Sequence, residues 1–492
     1  MNSSRSSPKR TANIYSKEIS GFDLFHLLTH MSVTAASGIS RDRVFHLAAQ
    51  LLSPPALYLG EVNRLVDNMR YNYPDACRMV GQRVKSENGR SFLLRLSDAL
   101  QSGEPMADFL AREARVQGEH YTNEYERGLE SLKKWNDGYT SVTVSVALIV
   151  IVNMVSTMIY DIGATTMLGL VFLAVLAGSS VAWVLYRAAP QEVKSVSLAE
   201  GSREQRLALR LFKIFAPVAA VVSLALMLLD MDKGWILVTA SLLLFFPGVV
   251  SLVADGKVNK KDAEVGALLR SVGGMATSIG TTLTEALTKI DIASFPALEP
   301  DVKMLNLRLQ AIGQPEFCWQ KFATETGSKM ISQTIGVFYE GVNLGGDPER
   351  VGTLSSLFAT KTYMLRAKRQ GVAATFSWLL IIMHAIMTGL MIFLLEIVRQ
   401  FGIVLEEAMA SIDLGAETAQ FATSMFSFGS VRIPLLEQMT LGMVLVLVVI
   451  NAFAIVADEG AHFIKIVFYL SLMLLLSGIC YLIIPSTVQM VM

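Results

Sequence analysis

The chain has 492 residues, of which 52% are hydrophobic, and its 42 Lys and Arg residues balance its 42 Asp and Glu residues. Such a hydrophobic fraction argues against one globular domain in water and is typical of a multi-pass membrane protein with soluble parts. The zero net charge gives no indication of a nucleic-acid partner, and we expect none. Cys77, Cys318 and Cys480 are far apart in the sequence, so they form no metal-binding or redox spacing.

The first part of the chain is predicted to be soluble and helical. Residues 1–16 are polar and are expected to be disordered, and no apolar stretch follows them that would indicate a signal peptide. Residues 17–138 are rich in Leu, Met, Arg and Glu without period-two alternation, which predicts a cytoplasmic helical bundle. Residues 255–372 have the same character and predict a second cytoplasmic bundle.

Seven apolar stretches are long enough to cross a membrane as helices. Four lie in residues 139–254, the fifth in residues 373–398 and the last two in residues 433–492, after a predicted extracytoplasmic loop at residues 399–432. Their apolar runs are residues 142–160, 167–186, 214–229, 235–253, 376–397, 435–456 and 463–484. The third is the shortest. If it and the fourth did not cross, the second polar region would remain on the same side as the first. The predicted fold is therefore an all-α polytopic membrane protein with about seven transmembrane helices and two repeated cytoplasmic helical bundles.

The two polar regions repeat the same landmarks, which indicates an internal duplication. Each has an apolar stripe with helical spacing, formed by Leu24, Leu28, Met31 and Ala35 in the first region and by Leu268, Val272, Met275 and Ile279 in the second. Each stripe ends at a glycine, Gly38 or Gly280, where a helix end is expected.

A second turn follows each of these glycines at nearly equal distance. It reads Gly103, Glu104, Pro105 in the first region and Gly346, Asp347, Pro348 in the second. Proline suits the first turn of a helix because its missing N–H would be unpaired there. We expect a helix to start at each turn, and we expect Gly346 to need a positive φ.

The distribution of basic residues predicts the orientation of the chain. With the N-terminus in the cytoplasm, the two polar regions and the loop after Tyr186 carry 38 of the 42 Lys and Arg residues. Basic residues accumulate on the cytoplasmic side of membrane proteins. We therefore expect a multi-pass protein of the cytoplasmic membrane with both polar regions inside the cell.

No pattern in the sequence predicts catalysis, a cofactor or a metal site, so the protein is not expected to be an enzyme. Gly327, Ser328 and Lys329 have the wrong order for a phosphate-binding loop. His26 and His30 are four residues apart, but no third ligand completes a metal pattern, and we interpret them as part of an ordinary helix face. The few polar residues of the spans, Asn153, His384 and Asn451, are interpreted as contacts between helices.

The duplicated helices, their glycines and the two Gly-acid-Pro turns resemble the type II secretion F domain superfamily, and the layout is most similar to its archaeal FlaJ-type branch. The resemblance covers about residues 20–484. It implies an assembly platform of an archaellum or archaeal type IV pilus, which couples a cytoplasmic secretion or motor ATPase to a filament of archaellins or pilins. It also implies a homodimer, held in membrane lipid.

The resemblance further implies that basic residues next to the membrane contact the ATPase. The matching residues are Lys133, Lys134, Lys361, Arg366, Lys368 and Arg369. The alternative is that these residues only set the topology and anchor lipid headgroups.

Two other functions remain open. A platform for a Tad-type pilus would have the same layout, because its distinguishing partners are separate proteins. A transporter permease would also use an external ATPase, but the low number of polar residues in the spans argues against a substrate path.

Overall fold

A computed structural model describes residues 15, 18–159, 164–190, 192, 194–195, 201–411 and 433–491. Within these ranges the chain is helical almost throughout and forms no β-strand. One isolated β-bridge joins Ser195 to Ser328. The predicted all-α class is confirmed. The N-terminal segment predicted to be disordered lies outside the described residues, apart from Tyr15.

The described residues form sixteen α-helices and two short 3-10 helices, Ile292–Ser294 and Phe463–Lys465. The α-helices are α1 (Gly21–Ala36), α2 (Arg41–Ala49), α3 (Pro54–Met69), α4 (Tyr73–Arg83), α5 (Glu87–Ser102), α6 (Met106–Ile159), α7 (Ala164–Ala188), α8 (Arg203–Leu228), α9 (Lys233–Ile279), α10 (Leu283–Lys289), α11 (Glu299–Ile312), α12 (Pro315–Glu325), α13 (Lys329–Asn343), α14 (Pro348–Ser411), α15 (Ile433–Glu459) and α16 (Ile466–Val491).

The chain divides into two compact units. The first contains Met1–Arg127, Lys194–Ser202 and Lys257–Ala367, and the second contains Gly128–Val193, Arg203–Gly256 and Lys368–Met492. Both polar regions therefore contribute to the first unit. The two separate bundles that the sequence predicts are parts of one compact body.

The first unit contains the same order of helices twice. Helix α1 is followed by four shorter helices, α2–α5, and then by the long helix α6. The last turns of α9 are followed by α10–α13 and then by the long helix α14. The repeat differs at its start, because α1 is a separate helix whereas its counterpart is the end of a longer one.

The predicted turn glycines have two different structural roles. Gly38, Gly103 and Gly280 have φ values of 73°, 75° and 68°, the left-handed conformation in which a side chain is unfavourable. At the fourth turn the left-handed residue is Gly345, with φ 93°, and not Gly346. Gly346 is instead a point of close approach, because an added Cβ would lie 2.6 Å from Ser37 Oγ.

The prolines of the two turns stand at helix starts, as the sequence predicts. Pro348 is the first residue of α14, and Asp347 caps that helix by accepting the Arg350 N–H at 3.0 Å. Pro105 directly precedes α6, and its carbonyl accepts the backbone N–H groups of Asp108 and Phe109 at 3.1 Å.

Three helices, α1, α6 and α14, meet in an aromatic core of the first unit. Phe22 and Phe25 on α1 contact Phe358 on α14, with ring centroids 5.5 and 5.2 Å apart. Tyr121 on α6 lies 5.9 Å from Phe22. Helix α1 also packs on α13, where Gly341 leaves no room for a Cβ beside Val33. A helix of the first polar region is thus packed between helices of both regions.

Seven helices of the described residues are long and apolar enough to cross a membrane, which confirms a multi-pass membrane protein. They comprise Met106–Ser156, Leu168–Ala188, Arg203–Leu228, Lys233–Ile279, Pro348–Val404, Ile433–Glu459 and Phe463–Met490. The fifth helix does not end near residue 398. Because α14 continues to Ser411, residues 399–411 of the predicted loop are helical, and residues 412–432 lie outside the described residues.

Polar residues of the second unit join its helices to each other. Tyr139 donates a hydrogen bond to Asn451 Oδ1 at 2.7 Å, and Asn451 Nδ2 lies 3.3 Å from His384 Nδ1. The other ring nitrogen of His384 lies 3.0 Å from Ser477 Oγ. These contacts connect α6, α14, α15 and α16. They stabilise the unit because polar groups without hydrogen-bond partners would raise its free energy in an apolar environment.

Candidate functional site

The predicted ATPase-contact residues lie on two of the long helices. Lys133 and Lys134 belong to α6, and Lys361, Arg366, Lys368 and Arg369 belong to α14. A residue that binds a protein partner must be accessible to solvent. The exposure of each side chain therefore indicates whether it can contact an ATPase, as the resemblance implies.

Lys133 and Lys134 are exposed on the surface of the second unit. Leu132, directly before the pair, and Asn136, two residues after Lys134, are buried, and Asn136 donates a hydrogen bond to Asp458 Oδ1 at 3.2 Å. Consecutive residues of a helix point in directions about 100° apart. The buried positions therefore hold α6 in place while the two ammonium groups face outward.

Arg366 is buried in the first unit. Its Nη1 atom lies 2.7 Å from Asp262 Oδ2, and the exposed fractions of the two side chains are 7% and 1%. Removing one partner of such a pair leaves a buried charge uncompensated, which typically costs about 3–5 kcal/mol. Arg366 therefore holds α14 to α9 and is not available to a partner protein.

Arg369 is buried in the second unit, where it donates to three backbone carbonyls. Its Nε, Nη1 and Nη2 atoms lie 2.8, 2.7 and 2.8 Å from the carbonyl oxygens of Asp458, Pro190 and Ala457. Two of these carbonyls end α15, where the helix leaves unpaired acceptors and a partial negative charge. Arg369 thus caps α15 and fixes the chain after α7.

The remaining two residues of α14 differ in exposure. Lys361 forms an ion pair with Glu119 on α6, and only 17% of its side chain is exposed. Lys368 lies between the two buried arginines and is itself exposed. Three of the six predicted residues, Lys133, Lys134 and Lys368, therefore lie on the surface, and the other three are engaged within their own unit.

A buried charged cluster in the second unit has no counterpart in the sequence-based predictions. Lys465 lies 3.3 Å from Asp255 and 2.7 Å from Glu459, and Tyr469 donates to Glu459 at 2.5 Å. A signal was present, since Glu459 stands in the short polar turn before the last apolar run and Lys465 is a charged residue near the start of that run. Their partner Asp255, however, is 210 residues away from Lys465 in the sequence.

His26 and His30 are buried in the first unit. Burial, and then the nearby His30, lower the pKa of His26 to about 3, so its ring is neutral at physiological pH. His30 Nε2 lies 2.9 Å from Glu340 Oε2. Both rings line a cavity of about 860 Å³ between α1, α12 and α13, whose wall also includes Trp319 and Lys329.

Comparison with known proteins gives two similar curated proteins, both named Flagella accessory protein J. The protein of Methanocaldococcus jannaschii is 25% identical over 338 residues, which are 65% of this chain and 60% of that protein. The protein of Methanococcus voltae is 22% identical over 294 residues, which are 58% of this chain and 53% of that protein.

The matched region thus spans between one half and three fifths of each relative. No family model and no solved structure matches the chain. The similarity to both proteins confirms the predicted resemblance to proteins of the FlaJ type.

Proposed function

We propose that this chain, which is similar to Flagella accessory protein J, is the membrane platform of an archaellum or archaeal type IV pilus machine. In this function it couples a cytoplasmic ATPase to the assembly of a filament. The observation that carries the proposal is the similarity to two flagella accessory proteins, which extends over more than half of the chain.

The architecture supports the same function. The seven apolar helices found among the described residues provide a membrane anchor, and the first unit provides a polar helical body on which other proteins can assemble. No phosphate-binding loop is visible in the sequence, which is consistent with a platform that draws its energy from a separate ATPase. The chain itself is proposed to act as a scaffold and not as an enzyme.

Contact with the ATPase is proposed for the exposed basic residues only. Lys133 and Lys134 form an adjacent pair of charges, and Lys368 is a further exposed charge in the same unit. Charges at the rim of an interface mainly raise the association rate and fix the register, and salt weakens them. The buried residues Arg366 and Arg369 are excluded from this role.

Deleting the gene in the native host tests the general function. We expect cells without surface filaments in electron micrographs, although the filament subunits are still made, and we expect the wild-type gene to restore the filaments. Loss of swimming together with thick filaments would identify an archaellum, whereas loss of surface adhesion would identify a pilus. Normal filaments in the deletion strain would refute both.

The double variant Lys133→Glu, Lys134→Glu tests the ATPase contact. We expect its affinity for the ATPase to fall about tenfold, because two favourable charges become repulsive, and we expect the wild-type affinity to fall as salt rises. The matched control is Lys85→Glu, Lys289→Glu, which reverses two exposed lysines of the first unit. Equal ATPase affinity of both double variants and the wild type would rule out the contact.

A further inference from the structure

We propose that Asp42, His46 and Asp67 form a binding site for a divalent transition-metal ion, for which Zn²⁺ is the best fit. One ring nitrogen of His46 and one carboxylate oxygen from each aspartate all lie within 4.8 Å of one another. Imidazole and carboxylate groups are common zinc ligands, and a water molecule often completes the four-coordinate shell of such a site.

The three side chains come from two helices that are fixed to each other. Asp42 and His46 lie one turn apart on α2, and Asp67 lies near the end of α3. Asn63 on α3 donates a hydrogen bond to the carbonyl of Phe45 on α2 at 3.1 Å, and both residues are buried. The two helices therefore hold the ligand atoms near one point without help from a metal ion.

The hydrogen bonds of the His46 ring make one nitrogen available. Nδ1 lies 3.0 Å from the backbone carbonyl of Asp42, an acceptor, so Nδ1 carries a hydrogen atom. In the neutral ring Nε2 then has a free lone pair. A backbone carbonyl that fixes the ring in this way is a usual second partner of a metal-bound histidine.

The free lone pair of Nε2 faces a negative group. Asp67 Oδ2 lies 3.3 Å from Nε2, so two acceptors oppose each other unless a positive species lies between them. Either a proton or a metal ion satisfies this arrangement.

The spacing suits a metal ion after a small movement of exposed side chains. With zinc bonds of about 2.0–2.2 Å, the ligand atoms of a tetrahedral site stand about 3.4 Å apart. The side chains of His46, Asp42 and Asp67 are 42%, 63% and 48% exposed, so they can close around an ion from solvent. The Tyr73 hydroxyl donates to Asp42 Oδ1 at 2.6 Å and orients that carboxylate.

The experiment is a zinc titration of the full-length chain, purified without a histidine tag, stripped with a chelator and held in detergent. A chromophoric competitor measures the affinity, and Co²⁺ in place of Zn²⁺ reports tetrahedral geometry through its visible absorption. We expect about one ion per chain. We expect His46→Gln and Asp67→Asn to weaken affinity at least about 100-fold, and Tyr73→Phe about tenfold, as for orienting residues of other zinc sites.

His120→Gln and Asp98→Asn are the matched controls, because both replace exposed residues of the first unit outside the cluster. They should leave zinc affinity unchanged, and circular dichroism should show the helix content of the wild type in every variant. If His46 and Asp67 form only an ion pair, the wild type and the two ligand variants will bind zinc equally. That result, or wild-type binding only at millimolar zinc, would overturn the proposal.

Discussion

Arg366 and Arg369 are one helical turn apart, but each is bound to a different unit of the chain. Arg366 pairs with the Asp262 carboxylate in the first unit, and Arg369 binds three carbonyl oxygens in the second. Both guanidinium groups replace hydration by charge-assisted hydrogen bonds, which are about twice as strong as neutral ones. If an Arg366 or Arg369 variant loses function, lower stability of the fold is therefore the expected cause, and not the loss of a contact with a partner.

Substitution of Arg369 tests the capping role. Arg369→Gln should lower the free energy of unfolding of the full chain in detergent by about 3 kcal/mol, because buried carbonyls at the end of α15 lose their hydrogen-bond donors. Its melting temperature should fall accordingly. The neighbouring exposed residue supplies the control, and Lys368→Gln should change stability by less than about 0.5 kcal/mol. Equal melting temperatures for the two variants would contradict the capping role.

The buried ring of His26 predicts a dependence of stability on pH. Its folded pKa of about 3 lies below the unfolded value of 6.5, so the unfolded chain binds the proton first as the pH falls. The stability that comes from keeping the His26 ring neutral is therefore fully present above pH 6.5. It is lost progressively as the pH falls from 6.5 to 3. From pH 7 to pH 5 the loss is about 2 kcal/mol.

Hydrogen exchange of the α1 amides between pH 7 and pH 5, corrected for the intrinsic exchange rate, measures this loss. The variant His26→Gln cannot titrate at this position and should lose that part of the pH dependence. His120→Gln removes an exposed imidazole and should behave as the wild type does. A pH dependence that is unchanged in His26→Gln would assign the effect to other groups.

At the level of helices, glycines set how closely α9 and α14 approach. A Cβ at Gly273 would lie 2.3 Å from the carbonyl oxygen of Pro348, and a Cβ at Gly352 would lie 2.7 Å from the carbonyl oxygen of Leu269. Backbone atoms cannot move aside as the end of a side chain can. The two helices are thus in contact along their backbones where the second Gly-acid-Pro turn begins α14.

Two adjacent glycines of α9 make a matched test of this contact. Gly273→Ala should destabilise the chain by about 2 kcal/mol or more, because its methyl group requires α9 and α14 to separate. Gly274→Ala meets no atom within 4 Å and should stabilise the chain by about 0.5–1 kcal/mol, since alanine favours a helix. The two melting temperatures should shift in opposite directions, and a shift in the same direction would refute the close contact.

The sequence predicted most helix ends correctly because these depend on nearby residues. Gly38, Gly103 and Gly280 end helices in the left-handed conformation, and Pro348 begins one. The role of Gly346 was harder to predict, because Gly345 stands next to it and either glycine could have the positive φ. The structure shows that Gly345 has it. The partners of the basic residues were not predictable, since Asp262 is 104 residues from Arg366 and neither position has a local pattern.

At the level of the whole molecule, the orientation of the chain remains a prediction. If the polar regions are cytoplasmic, a cysteine at Asp347 should resist an impermeant thiol reagent in intact cells, whereas one at Glu406 should react. The unsubstituted chain is the control and measures the labelling of the native cysteines, of which Cys77 and Cys318 are buried and Cys480 is half-buried. Labelling of position 347 without labelling of position 406 would reverse the orientation.

The apolar runs were readable from composition, because a membrane requires about 20 apolar residues for each helix. The sequence did not predict that the two polar regions form one compact unit. A repeat in the sequence indicates two similar parts, but it does not indicate whether they share a core. In the structure they share one, through Phe22, Phe25 and Phe358. A substitution in this core is therefore expected to affect the packing of both polar regions.

The discontinuous first unit also has a consequence for biosynthesis. Its N-terminal part ends at Arg127, but α13 and the start of α14, against which α1 packs, belong to its last segment, Lys257–Ala367. At a translation rate of about 5–20 residues per second, the apolar face of α1 waits about 12–50 s while membrane segments are inserted. During that interval the nascent chain exposes Phe22, Phe25 and Val33 to the cytosol if the predicted orientation holds, and transiently exposed apolar surface favours aggregation.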